Sequence, residues 1–112
     1  MAKKANFDTV RSLAFGGIST NYAAVGTPTT VEARIAYITN GTAGVMIFST
    51  SNTNTDGQVV ILAGQTLVFN FTSNMIPGKD DSLVLPIGTQ FYVKQSTAPT
   101  SGAVYISFVY AT

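Results

Sequence analysis

An all-β fold, a single β-sandwich or jelly-roll-like domain of about seven to eight antiparallel strands, is predicted by three observations. Apolar and polar residues alternate over short windows, the period of a strand with one wet face. Gly, Pro, Asn and Ser punctuate these windows at regular spacing, as in sandwiches and barrels. Helical periodicity is nearly absent. At 112 residues the chain suits one domain, large enough to bury a core without staples.

Taken in order, residues 1–6 read as a flexible N-terminal tail and residues 7–112 as the sandwich domain. Residues 7–15 read as strand. Phe7, Val10, Arg11 and Ala14 also fit one helical face behind Asn6, but Thr9 and Val10 favour extended chain. In residues 31–38 one face holds Val31, Ala33, Ile35 and Tyr37, and the other begins with Glu32 and Arg34. Asn40-Gly41 follows at once and suits a tight hairpin, with residues 45–48 as the partner strand. Residues 49–57 form a polar loop.

Val59-Val60-Ile61-Leu62 is a continuous apolar run, as expected of a strand buried on both faces. Ala63-Gly64-Gln65 turns the chain into residues 66–72, where Leu67, Phe69 and Phe71 share one face and Val68, Asn70 and Thr72 the other. Residues 77–80 are a turn, 83–85 a short strand, 86–88 a turn, 90–95 a strand and 98–102 a loop. Residues 103–111 close the chain, with Val104, Ile106, Phe108 and Tyr110 on one face and Tyr105, Ser107 and Val109 on the other. So large an apolar face predicts a strand paired centrally in a sheet.

Composition narrows function more than any motif. The chain has no His, Cys or Trp, and 10% of it is charged while 46% is apolar; about 25% charged is usual. Most of the toolkit of acid–base, thiol and metal chemistry is missing, and no disulfide framework is available. The net charge of +1 is dispersed along the chain, so neither nucleic acid nor a membrane is expected as partner. No run approaches the roughly 18 apolar residues of a membrane helix. Met1 to Asn6 starts like a signal peptide, but Asp8, Thr9, Arg11 and Ser12 interrupt the apolar stretch such a signal needs. The chain is therefore expected in the cytoplasm of its producing cell unless carried out within a larger body. Apolar surplus with so little charge predicts a homo-oligomer, a trimer or higher ring, because large exposed apolar surfaces mark interfaces.

The short motifs dissolve on inspection. Asn52-Thr53-Asn54-Thr55-Asp56-Gly57 opens like a calcium loop, but the twelfth position, where a bidentate carboxylate is required, is Ala63. Asn40-Gly41-Thr42 and Asn70-Phe71-Thr72 are formal glycosylation sequons, expected by chance in a chain this rich in Asn and Thr. Asp80-Asp81 is the sole carboxylate pair, and neighbours in extended chain point apart, so it cannot clamp one glycosidic bond. Phe91 and Tyr92 face opposite ways and Phe69 and Phe71 share a face with Leu67, which indicates core packing and not base stacking. Gly16-Gly17 lacks the spacing and lysine of a phosphate loop, and a serine nucleophile has no histidine base. No catalytic, cofactor-binding or metal-ligating residue is assigned.

The stretches Phe7-Asp-Thr-Val-Arg-Ser-Leu-Ala-Phe-Gly-Gly-Ile-Ser19, Tyr37-Ile-Thr-Asn-Gly-Thr42 and Leu85-Pro-Ile-Gly-Thr-Gln-Phe-Tyr-Val-Lys-Gln-Ser-Thr-Ala-Pro-Thr-Ser-Gly-Ala-Val-Tyr105 resemble a family of small all-β virion proteins of tailed bacteriophages. The resemblance implies a non-enzymatic structural component of capsid decoration, neck or collar, or tail and fibre-associated type. It also implies capsid, neck or tail subunits as partners and the virion as location. A glycan-binding sandwich is the alternative, and exposed aromatics in residues 22–27 or 97–102 would favour it.

Overall fold

A computed structural model of the chain describes residues 4–52, 59–70 and 85–111. Among them run nine strands: β1 (Ala5–Phe7), β2 (Arg11–Ala14), β3 (Ala23–Ala24), β4 (Ala33–Asn40), β5 (Met46–Ser49), β6 (Val59–Ile61), β7 (Thr66–Asn70), β8 (Tyr92–Gln95) and β9 (Ala103–Ala111). Phe15–Gly17 makes one 3-10 turn, and no α-helix occurs among the described residues. The first sheet runs β1-β9-β4-β7, with β2 also on β9; the second runs β3-β8-β5-β6. All named pairings are antiparallel, and the chain repeatedly switches sheets in the order of a jelly roll.

β1 and β2 are one edge strand with an interruption. Phe7 faces Val109 and Arg11 faces Ile106, four steps along the edge against three along β9. This extra residue splits the edge strand, which accounts for a strand count above the predicted seven or eight. It also turns Arg11 toward the same side as Ile106, into the sandwich. Pairing begins at Ala5, opposite Ala111, so the expected tail gives way to strand at Ala5 and Asn6.

β9 lies centrally, between β1 and β2 on one side and β4 on the other. Val104, Ile106 and Phe108 are buried in the core with Ile38, Met46, Phe48 and Val93. Full burial of such side chains contributes about 1.5–3 kcal/mol each. Across the sandwich the rings of Phe91 and Phe108 sit 5.8 Å apart, tilted by 35°, within the separation at which aromatic pairs attract. Leu67 and Phe69 pack against this core from β7 while Val68 faces out, the register the alternation predicts; Phe71 and Thr72 lie outside the described residues.

Three expectations are corrected. A bulge between Ala33 and Ile35 shifts the alternation in β4. Ala33 stays in the core, but Ala36, Ile38 and Asn40 follow it there, and Ile35 and Tyr37 turn outward, paired with Val109 and Ser107. Second, Asn40-Gly41 makes no hairpin. β4 and β5 belong to different sheets, so residues 41–45 form a corner between sheets, and the positive φ that a primed turn demands is absent at Gly41. Third, the run Val59 to Leu62 is not buried on both faces. β6 is the last strand of its sheet, and while Ile61 is buried, Val60 is 59% and Leu62 51% exposed.

Candidate functional site

Two buried polar clusters tie the sheets together. At the end of β4, Asn40 has no exposed surface. Its Nδ2 donates to the carbonyls of Gly44 (2.8 Å) and Ile61 (2.9 Å), and its Oδ1 accepts from the Thr42 N–H (3.0 Å) and hydroxyl (2.6 Å). Its own backbone pairs with Gln65 and Gly64. The four side-chain positions are thus satisfied, and one residue joins β4, the corner, and β6 in the opposite sheet. The sequon at Asn40 is for this reason closed to glycan transfer in the folded chain.

The second cluster centres on Arg11, which is 8% exposed. Its Nη1 donates to Asp8 Oδ2 (2.7 Å) and the Thr9 carbonyl (2.7 Å), its Nε to Thr27 O (3.1 Å), and its Nη2 to Pro28 O (3.3 Å). The guanidinium carbon lies 5.2 Å from the centre of the Phe108 ring, close enough for a cation–π contact. The hydrogen bond from Arg11 holds the Asp8 carboxyl below its ordinary value, against the opposing effect of burial. Gly26 makes this possible: its φ is +67°, and a Cβ there would strike the Arg11 side chain. Sequence reading passed over Arg11, because nothing local signals that an irregular edge strand will turn an arginine inward.

Neither cluster presents a free nucleophile, acid or base. An apolar groove of about 170 Å³ between the sheets is lined by Ile38, Phe48, Val59, Phe69, Leu85 and Phe91, with Ser49 and Thr50; none of these side chains is an acid or a base. Among the described residues no three His, Cys, Asp or Glu side chains come together. No helix there is long and apolar enough to cross a membrane. The calcium-like loop, from Thr53 onward, and Asp80-Asp81 lie outside the described residues. Tyr22, the aromatic at which a glycan site would start, is half-buried with Lys94 Nζ 4.8 Å over its ring.

The feature that stands out is the outer face of the first sheet. Cross-strand pairing sets three rows on it: Ser12, Tyr105, Thr39 and Thr66; Ser107, Tyr37 and Val68; and Phe7, Val109, Ile35 and Asn70. No position in these rows is charged; Arg34, the extra residue at the β4 bulge beside Ile35, stands outside them. Thr39 and Thr66 share a hydroxyl–hydroxyl bond of 3.0 Å, so part of the polar content is self-satisfied. Phe7 is 77% exposed, Val68 50% and Tyr105 45%, and Val109 is buried without belonging to the core between the sheets. The outer face of the second sheet differs: Lys94 stands in its centre, opposite Ile47.

No family model matches the chain, and no curated protein does. Among solved structures it is similar to a chain from Bacillus endospore appendages, reported as a novel family of disulfide-linked pili, with a TM-score of 0.51 and 13% identity over 99% of this chain and 91% of that one. A second is the Dit protein of phage SPP1, reported as a paradigm of the hub adsorption apparatus in phages infecting Gram-positive hosts. That match has a TM-score of 0.40 and 8% identity over 96% of this chain and 49% of that one, and carries no argument. The first likeness, at 13% identity, is one of fold alone: both chains are all-β sandwiches.

Proposed function

We propose that the chain is a non-enzymatic structural subunit of a bacteriophage particle, one that self-associates and docks on capsid, neck or tail. The observation that carries this reading is the partly aromatic outer face of the first sheet, whose paired rows hold no charge, a surface suited to protein contact. The sequence resemblance to small virion proteins supports the particle as its location. The spore-appendage chain of similar fold comes from pili reported as disulfide-linked. This chain has no cysteine, so its copies associate through surface alone, and a ring of three or more remains the expected arrangement.

The test is direct. Particles of the phage encoding the chain are purified through a density gradient, and an antibody against the chain is applied to blots and to electron-microscope grids. A band at fixed stoichiometry and label at one position on the particle are expected. Chain found only in the soluble fraction overturns the reading.

A further inference from the structure

We infer that the outer face of the first sheet is the surface across which two copies of this chain meet, sheet against sheet, about a two-fold axis. The inference rests on the reading of the chain as an assembling subunit and names the contact. Charge selects the occupant. The paired strand positions facing out from β1, β2, β4, β7 and β9 carry no Lys, Arg, Asp or Glu, and Arg34, the extra residue at the β4 bulge, is the one charge in these strands besides the inward Arg11. An anionic polymer or headgroup layer would find a single cation, Arg34, at the margin and none in the paired rows. A second copy meets no like charge across the paired rows, and a two-fold contact requires a patch complementary to itself.

Area agrees with that occupant. A strand the length of β9 spans roughly 30 Å and four strands roughly 15–20 Å, so two such faces remove roughly 1,000 Å² from water, the lower bound of a specific interface. The relief is graded, with Phe7 and Ile35 around the buried Val109 at one end and the Thr39–Thr66 hydroxyl pair at the other. Two sheets with side chains of this kind stack about 10 Å apart, as the inner faces of a sandwich do. A two-fold contact doubles whatever ring the chain forms, so the assembly is an even multiple of 11.8 kDa; a ring of three joined this way is a hexamer.

Sedimentation equilibrium on the full chain, with thermal melts on each variant, tests this. Val68→Lys and Tyr105→Lys should each weaken association at least tenfold while melting like the parent at dilutions where all are monomeric, because both side chains are half in water. Val60→Lys, equally exposed but on the second sheet, should associate like the parent. A reversed pattern, or a parent chain that stays monomeric, overturns the contact. The chain has no Trp, so Val68→Trp supplies a reporter that needs no loss of stability. Its emission should shift to the blue as concentration rises, and a fixed spectrum while mass increases places the contact elsewhere. A chain that is monomeric alone yet present in purified particles would remove this contact and leave the particle subunit standing. A chain that pairs through this face and is missing from particles does the reverse.

Discussion

Asn40 and Arg11 do the same mechanical work at different margins of the sandwich, and they do it with opposite electrostatics. Asn40 is neutral, wholly buried and satisfied by four hydrogen bonds that reach into both sheets. Arg11 is charged, sits on the edge strand, and shares its donors between one carboxylate and three carbonyls. A buried neutral amide is indifferent to pH and salt, and its loss strands several backbone groups at once. An ionic staple near the edge answers to both variables and leaves water a route to its partners. The difference teaches where this fold is brittle and where it can be tuned.

Removing the amide should have the largest effect. Asn40→Ala takes the side-chain partner from the Ile61 carbonyl and the Thr42 N–H and leaves the Gly44 carbonyl with the Thr42 hydroxyl alone, at about 3–5 kcal/mol in total, a large share of an ordinary domain's stability. Urea unfolding should show this, and the loss should be the same at pH 4 and pH 7. A loss below about 1 kcal/mol would mean that water reaches the corner.

Arg11→Met keeps much of the stem and deletes the guanidinium, so about 2 kcal/mol should be lost. Thermal melts should place it clearly between Asn40→Ala and the parent. Gly26→Ala acts on the same cluster from the other side. It forces alanine to a positive φ and a Cβ against Arg11, and about 1–3 kcal/mol is expected. If Gly26→Ala is neutral, the loop and the arginine are not in register as described.

The smallest effect belongs to Asp8→Asn. Because the folded-state carboxyl is held below its ordinary value, its contribution is fully present above the unfolded value, near about 3.9, and fades as pH falls through the lower folded value. The gap in melting midpoint between parent and Asp8→Asn should therefore be small at pH 7, shrink under acid and narrow in high salt. A gap that widens under acid would reverse the sign of the pairing. No such trend should appear for Asn40→Ala, and that contrast is the sharpest form of the comparison.

Both staples were illegible in the sequence for the same reason. Asn40 stood in a dipeptide that reads as a hairpin turn, and Arg11 in a segment whose alternation is broken. Each acquires its role from residues more than 15 positions away, Ile61 for one and Thr27 and Pro28 for the other. The outer face was half legible. Alternation separates Tyr105 and Val68 from the core-facing residues of their strands, but it groups Ile35 and Tyr37 with Ala33, because the bulge beside Ala33 leaves no mark in composition.

What the sequence determined by itself is local: which segments are extended, where the chain turns, and, along β7 and β9, which side chains share a face. A strand's alternation is fixed by its own backbone geometry, so two-residue periodicity transmits directly into structure. Neighbourhood, by contrast, is settled by packing. Val59 to Leu62 reads the same whether its strand is flanked on both sides or stands last in its sheet, and Asn40-Gly41 the same whether it closes a hairpin or turns a corner. Strand partners, the bulge at β4 and the inward arginine are set by packing between residues far apart in the chain. That contest is settled by the total area and hydrogen bonding of the assembled sandwich, to which no single window of sequence has access.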